Sequence, residues 1–181
     1  MRTIEFGFYP YESNGQIAPI RWKVIDTFES GRIGIVSEEI IDSGQFDKKN
    51  SSWTGSDLRR WLNVDFKNTA FSAEQQKLIY GEIFVMSFEE AMWYFPTANS
   101  RAAKATPYAK KQKLSLDKQG RGRYWHMSPG YVPTAVTYTD TDGYTYETGM
   151  HVTSREGIRP ALILDVDPEA ILKIEGEQNE L

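Results

Sequence analysis

The chain contains no cysteine, and this absence excludes several kinds of chemistry. Disulfide bonds, thiolate metal sites, a cysteine nucleophile and cysteine-ligated iron–sulfur clusters all need a residue that the 181-residue sequence lacks. Histidine is also scarce, because His126 and His151 are the only two. They lack the spacing of a histidine pair on one helical turn, so a transition-metal site would need carboxylates brought in by the fold.

The sequence also has no long apolar run and no excess of positive charge. No segment approaches the roughly 18 residues of a membrane span, and the N-terminus has no continuous apolar core of the signal-peptide type. The formal net charge is −4 and the sequence pI is about 5.3, which disfavours binding to a phosphate backbone. We therefore expect a soluble, cytoplasmic or phage-associated protein, monomeric or weakly homo-oligomeric, with neither nucleic acid nor membrane as a partner.

The composition itself is typical of one globular domain. Apolar residues make up 40% of the chain, charged residues 25% and aromatic residues 13%, and a chain of this length can bury one sizeable core. We expect a single domain over residues 1–168. An acidic C-terminal tail over residues 169–181 should follow it and fray.

The pattern of apolar residues predicts strands at both ends and helices between them. Period-two alternation near residues 4–8, 20–25 and 33–36 indicates a small antiparallel sheet. Capping-box spacing then indicates three short helices. The paired residues are Thr54 with Asp57, Ser72 with Gln75, and Ser87 with Glu90. Leu78 and Ile79 supply the apolar stripe of the second helix.

In the second half of the chain, a segment without a clear apolar period is followed by segments with strong strand signals. Residues 96–123 show no stable period beyond a short helix near residues 108–113, so a long, mobile, lysine-rich loop is predicted. Asp142-Gly143, lying between two short apolar runs, predicts a β-hairpin with a type I′ turn. The run from Ala161 to Leu164 is apolar on both faces and predicts a central strand.

The order of several short motifs resembles a bacterial and phage domain family of unknown function. Its members carry strings such as WWLRSPG and GVRPAL. The motifs in this chain are FGFYP (6–10), PIRWKVI (19–25), SDLRRWLN (56–63), TAFS (69–72), ATPYA (105–109), YWHMSPG (124–130) and GIRPALIL (157–164). His126 and Met127 stand where leucine and arginine are common in that family.

The last two motifs are also similar to those of the C-type-lectin-like superfamily, which includes formylglycine-generating enzymes and variable receptor-binding proteins. The resemblance implies an α+β, C-type-lectin-like mixed fold, with a twisted antiparallel sheet flanked by short helices. It also implies that ligands are met by loops near the closing strands. Without cysteine, the chain cannot use the chemistry of the formylglycine-generating enzymes.

Aromatic and histidine residues near the hairpin are the predicted ligand contacts. Tyr124 and Tyr131 are expected to be reachable from solvent, since flat rings give large contact areas at low entropic cost. His126, Tyr144 and His151 complete the predicted ligand-binding set. The function that this set favours is a non-enzymatic module binding a glycan or a protein.

A second set of residues is predicted to hold the fold rather than a ligand. Trp125 should pack in the core, as large aromatic side chains usually do. Arg159 opens a buried strand, so its guanidinium is expected to pair with an internal acid such as Asp165, Asp57 or Glu89. Ser128, Arg59 and Trp61 belong to the same structural set, with one of Arg59 and Arg60 packing against the sheet.

Three alternatives stay open at this stage. Asp140, Asp142 and Glu147 resemble a calcium loop, although the spacing of an EF-hand is missing and a hairpin explains Asp-Gly without a metal. A metal-assisted enzyme could use His126, His151 and Asp140, because imidazole titrates near neutrality. A purely structural or assembly role is the third alternative.

Overall fold

The structure, a computed structural model, describes residues 1–166 of the chain. These residues form twelve strands and six short α-helices, which confirms the predicted α+β class. The strands are β1 (Thr3–Pro10), β2 (Ile17–Thr27), β3 (Ile33–Ser37), β4 (Asp42–Gly44), β5 (Ile79–Val85), β6 (Ala103–Lys104), β7 (Arg121–Gly122), β8 (Tyr124–Pro129), β9 (Ala135–Thr139), β10 (Thr145–His151), β11 (Glu156–Ile158) and β12 (Pro160–Leu164). The helices are α1 (Asp57–Trp61), α2 (Lys67–Ala70), α3 (Ala73–Lys77), α4 (Phe88–Tyr94), α5 (Ala98–Arg101) and α6 (Pro107–Lys111), with a π-helical turn (Leu62–Phe66) between α1 and α2.

The first sheet contains the strands predicted near the N-terminus together with the last strand. Its order is β1-β2-β3-β12-β5, and all four pairings are antiparallel. Strand β12 pairs with a neighbour on each side and is buried at four of its five positions. This confirms the central strand expected from its apolar sequence, because both faces of such a strand are covered.

The second sheet has the order β10-β9-β8-β11-β4 and carries the predicted hairpin. Strands β9 and β10 pair antiparallel, which confirms the hairpin. The turn type differs, because a type I′ turn needs positive φ at both central residues. Gly143 has a φ of +81°, whereas Lys113 is the single non-glycine residue with positive φ in residues 1–166, so Asp142 does not.

Two tryptophans anchor the core on either side of the molecule. Trp22 of β2 and Trp125 of β8 are fully buried, and both belong to the largest cluster of buried apolar side chains. The indole Nε1 of Trp22 donates to the Phe6 carbonyl at 2.7 Å, and that of Trp125 donates to the Gly44 carbonyl at 2.9 Å. Each ring therefore buries its apolar area without leaving its one donor unsatisfied.

Two of the three predicted helix caps are confirmed, and the third helix is capped by a different residue. Ser72 and Ser87 form complete capping boxes at α3 and α4, as predicted. Helix α1 is instead capped by Ser56, whose hydroxyl accepts from the Arg59 amide at 3.1 Å, so the prediction of Thr54 as its cap is wrong. Thr54 and Ser56 both carry a hydroxyl group and lie two positions apart, so the spacing of the capping box alone did not show which of them caps the helix.

The apolar stripe predicted for the second helix does not lie in a helix. Ile79 opens β5, and Leu78 is the residue at which α3 ends, so the prediction that both form the apolar face of the second helix is wrong. The tertiary environment decides this point, because β5 pairs with β12 and thereby satisfies its backbone groups in the first sheet.

The segment 96–123 contains more regular structure than the long loop predicted for it, and the short helix expected near residues 108–113 is confirmed as α6. It contains α5, α6 and the two-stranded β6–β7 pairing, and the side chains of Ala103, Ala109 and Leu114 are buried in a small apolar cluster. These elements are too short to leave a period in the sequence. The predicted acidic tail, residues 169–181, and the last two residues of the predicted domain lie outside the described residues.

Candidate functional site

The two most exposed aromatic side chains of residues 1–166, Trp93 of α4 and Tyr131 of the β8–β9 connection, belong to one surface beside β10. We call it the α4–β10 surface and define it by Glu89, Met92, Trp93, Tyr131, Thr145 and Glu147. Trp93 is 80% exposed and Tyr131 is 72% exposed. Exposed apolar patches often mark interaction sites, which makes this surface the candidate site.

Helix α4 presents three residues of this surface on a single face. Glu89, Met92 and Trp93 stand at positions i, i+3 and i+4, which lie next to one another on a helix. The opposite side of α4 is anchored by Ala91 and Phe95, both buried in an apolar cluster. The helix therefore cannot turn Trp93 inward without exposing its own core residues.

Strand β10 supplies the facing side of the surface. Thr145 and Glu147 are two positions apart, so their side chains point to the same side of the strand. The Thr145 hydroxyl donates to the sulfur of Met92 at 3.5 Å, which fixes the start of β10 against α4. The two elements form one connected surface.

Tyr131 is held at the other end of the surface by backbone and side-chain contacts. Its amide donates to the Thr148 carbonyl at 3.2 Å, and its hydroxyl donates to the Glu147 carboxylate at 3.2 Å. A Cβ at the preceding residue, Gly130, would lie 2.6 Å from the Thr148 carbonyl oxygen. Glycine is needed at 130 for this approach, because a side chain there would push Tyr131 away from β10.

The surface carries two exposed aromatic rings and two exposed carboxylates. Glu89 and Glu147 are both exposed, and the hydrogen bond to Glu147 raises the pKa of the Tyr131 hydroxyl. Ionised carboxylates accept several hydrogen bonds, while the faces of Trp93 and Tyr131 offer apolar contact. Such a surface can hold a ligand that has hydroxyl groups along its edge and C–H groups on its face.

The structure separates the predicted ligand-binding residues into an exposed and a buried group. Tyr131, Tyr144 and His151 are exposed, and Tyr144 directly precedes Thr145 of the α4–β10 surface. Tyr124 is 1% exposed, so the expectation that it is reachable is wrong. Its hydroxyl donates to the Arg101 carbonyl at 2.9 Å and accepts from Arg159, so Tyr124 links these two arginines inside the protein.

His126 is also buried and cannot meet a ligand from solution. Its Nε2 lies 2.9 Å from the Thr139 hydroxyl, and its Nδ1 lies 3.4 Å from the Thr137 hydroxyl. Burial, together with the cationic side chains of Arg159 and Arg101, lowers its pKa to about 3. The imidazole is therefore neutral at ordinary pH.

Arg159 lies in the interior, but its partners differ from the predicted acids. It is 2% exposed, its Nε donates to the Ser37 carbonyl at 2.9 Å, and its Nη1 donates to the Tyr124 hydroxyl at 3.3 Å. Its guanidinium also lies 4.9 Å from the centre of the Phe95 ring. No ion pair within residues 1–166 involves Arg159, so the expected pairing with Asp165, Asp57 or Glu89 is wrong.

The remaining residues of the structural set make contacts between elements. The Ser128 hydroxyl accepts from the Phe88 amide at 2.9 Å and so connects β8 to the start of α4. The Arg59 Nε donates to Glu82 of β5 at 2.7 Å, while Arg60 faces solvent. Trp61 stacks on Phe66 with ring centres 5.6 Å apart.

The carboxylates considered for a metal are directed at separate partners. Asp140 accepts from the Thr141 amide at 2.6 Å, Asp142 lies 3.4 Å from Arg121, and Glu147 accepts from Tyr131. Over the described part of the chain, no three histidine or acidic side chains group closely enough to hold a metal ion. The geometry therefore does not support the calcium loop of Asp140, Asp142 and Glu147.

The histidine-based enzyme site fails on the same ground. His126 is buried against Thr139, and the Nδ1 of His151 lies 2.8 Å from the Thr153 hydroxyl. The expectation that these histidines join Asp140 in a metal-assisted site is not met by their positions in residues 1–166.

The predicted ligand contacts did not include Glu89, Met92, Thr145 or the most exposed ring of this surface, Trp93. A signal for it was present, since Ala91 and Phe95 form the buried stripe of α4 and Trp93 lies off that stripe. A tryptophan on the outward face of a helix that is fixed by a capping box points to an outside contact.

Comparison with known proteins gives one family match. Residues 30–84 match the model of a domain of unknown function, DUF6273. The matched segment runs from the turn before β3 into β5 and lies outside the α4–β10 surface. It supports a relationship to a family of unknown function and covers less than a third of the chain. No curated protein and no solved structure matches the chain.

Every helix within residues 1–166 is too short or too polar to cross a lipid bilayer.

Proposed function

We propose that this protein is a non-enzymatic binding module and that the α4–β10 surface is where it contacts its ligand. The observation that carries the proposal is the pair of exposed rings, Trp93 and Tyr131, on a surface whose side chains contact one another from both sides of β10. Met92 contacts Thr145 on one side, and Tyr131 contacts Glu147 on the other. A rigid surface lowers the entropic cost of binding, because little remains to be ordered.

A glycan is the ligand class that this chemistry favours. The C–H face of a sugar ring can stack on Trp93 or Tyr131, and its hydroxyls can donate to Glu89 and Glu147. The chain carries a net charge of −4, so a neutral or basic glycan would approach without repulsion. A protein ligand using the same two rings is the alternative that the experiment below separates from a glycan.

The finer fold assignment is part of the same proposal. A C-type-lectin-like architecture agrees with the antiparallel first sheet, the short helices and an exposed surface beside the closing strands. A bacterial or phage origin rests on the resemblance of the motif order. The cytoplasm or a phage particle is the setting that this resemblance suggests.

The test is a glycan array probed with the wild-type protein, followed by calorimetric titration of the best glycan. Trp93→Ala should weaken binding by about 30-fold, as expected for a central aromatic contact worth about 2 kcal/mol. Tyr131→Ala should weaken it about tenfold or more. Tyr80→Ala is the matched control, because Tyr80 is an exposed tyrosine of β5 in the other sheet.

Two results would count against the proposal. An array that stays blank, combined with a pull-down in which wild type and Trp93→Ala capture the same proteins, would leave the surface without a ligand. Equal loss of affinity in Tyr80→Ala and Trp93→Ala would place binding elsewhere. Capture of one protein by wild type alone would favour a protein ligand over a glycan.

A further inference from the structure

A second concave feature lies near the turn end of the β1–β2 hairpin. It is a cleft of about 220 Å³ between this hairpin, residues 39–41 and the start of α6. Its lining combines apolar, aromatic and charged side chains and shares no residue with the α4–β10 surface. The lining residues used below are Glu5, Tyr9, Tyr11, Ile20, Arg21 and Glu39.

The cleft is held open by backbone contacts among three elements. The Tyr108 amide donates to the Tyr11 carbonyl at 2.8 Å, and the Thr106 amide donates to the Ile40 carbonyl at 3.0 Å. Pro10 and Pro19 line the wall, and proline has little backbone freedom. The cavity therefore exists before any ligand arrives, and its volume suits one side-chain-sized group rather than a drug-sized molecule.

Tyr9 forms a fixed part of the floor. Its hydroxyl donates to the buried Asp42 carboxylate at 2.7 Å, and its ring meets Phe66 and Tyr108 edge to face. Ile20 and Ile41 add buried apolar side chains beside it. The floor thus offers apolar contact to the stem of a ligand and cannot easily collapse into the space.

Glu39 is the polar group that distinguishes this cleft. The carboxylate is half-buried and accepts a hydrogen bond from the Tyr11 hydroxyl. A carboxylate has about four acceptor positions, so most of its capacity is still available. Burial and the neighbouring Glu38 raise the pKa of Glu39, while the Tyr11 hydroxyl, Arg21 and Lys104 act in the opposite direction.

The charges of the lining favour a cation. Glu5 and Glu39 carry negative charge, while Arg21 is engaged by Glu38 outside the lining at 3.2 Å. A positive group placed beside Glu39 would compensate the half-buried carboxylate and would also lie close to the Tyr11 ring, whose face attracts cations. A neutral hydroxyl would gain the hydrogen bond but not the charge.

We propose that this cleft binds an ammonium or guanidinium group on a short apolar stem, the chemistry of a lysine or arginine side chain of a peptide. The stem packs over Tyr9 and Ile20, and the cationic end donates to Glu39. The methylene groups of a long basic side chain pack on apolar surface, while its charged end contacts polar groups.

The test is a titration of the isotope-labelled protein with N-acetyl-lysinamide, followed by NMR through the backbone amides. Saturable shifts are expected at Tyr11, Ile20 and Thr106. Glu39→Gln should weaken binding about tenfold or more. Glu29→Gln, in the turn between β2 and β3, removes the same charge and should leave binding unchanged. N-acetyl-norleucinamide, which keeps the stem and lacks the charge, should bind at least fivefold more weakly than the lysine compound.

A second variant covers the case in which Glu39→Gln perturbs the fold. Ala18 lines the cleft, so Ala18→Leu should fill the space and abolish the shifts while the rest of the spectrum is retained. The proposal is overturned if no saturable shifts occur in wild type, if norleucinamide binds as well as lysinamide, or if the shifts persist in Ala18→Leu. None of these results bears on glycan binding at the α4–β10 surface, so the two proposals fail independently.

Discussion

Gly143 occupies a turn position at which alanine should be strongly destabilising. The residue has a φ of +81°, a conformation that costs an L-amino acid about 1–2 kcal/mol. The larger effect is steric, because a Cβ at this position would lie 1.7 Å from the Ala98 carbonyl oxygen and 2.9 Å from the Ala102 amide nitrogen. Both are backbone atoms of the α5 region, so no side-chain rotation relieves the clash.

The displacement needed to admit the methyl group also removes a buried hydrogen bond. The Nε of Arg101 donates to the Gly143 carbonyl at 2.8 Å. Hydrogen bonds to charged groups contribute about 1.5–3 kcal/mol. Adding this to the cost of the backbone conformation gives an expected loss of about 2.5–5 kcal/mol in the free energy of unfolding for Gly143→Ala.

Gly120 provides a matched control for this substitution. Its φ is +78°, and a Cβ there would meet no atom within 4 Å. Gly120→Ala should therefore cost only the conformational part, about 1–2 kcal/mol. Urea unfolding of both variants and wild type, followed by circular dichroism, measures the difference. A loss in Gly143→Ala within about 0.5 kcal/mol of that in Gly120→Ala would refute the steric reasoning.

Three further predictions concern the buried polar network around Arg159. His126 has a folded pKa of about 3 against an ordinary value of 6.5, so the unfolded chain binds more protons between these values. Acidification should therefore destabilise wild type relative to His126→Gln by up to about 1.4 kcal/mol per pH unit in that window. If the difference in urea midpoint between the two proteins is the same at pH 7 and at pH 5, the prediction is contradicted. Tyr124→Phe loses the hydrogen bonds to Arg101 and Arg159 and should lower the free energy of unfolding by about 1–3 kcal/mol. Glycan affinity should not change, and a drop in that affinity would show that Tyr124 acts in binding. Arg159→Lys retains the charge but not the planar donor fork, and it should cost about 2–4 kcal/mol on thermal or urea unfolding, with Arg60→Lys as the solvent-exposed control.

Local patterns in the chain were sufficient for strands β1, β2, β3, β9, β10 and β12 and for the starts of α3 and α4. The alternation around residues 4–8 and 20–25 predicted β1 and β2, and the spacing of Ser87 and Glu90 predicted the start of α4. These features depend on contacts between residues a few positions apart. Strand β6 was missed because its partner β7 is distant in the chain, and α5 because a four-residue helix is too short to leave a period in the sequence.

The candidate sites depended on the tertiary structure to a greater degree. Tyr124 and Tyr131 are both tyrosines flanking one motif, yet packing against Arg101 and Arg159 buries the first while the second lies against Glu147 on the surface. The sequence alone determined the α+β class, the absence of thiol chemistry and the location of the hairpin. Which aromatic rings face solvent was decided only when the sheets and α4 came together, because burial is set by neighbours that are far apart in the chain.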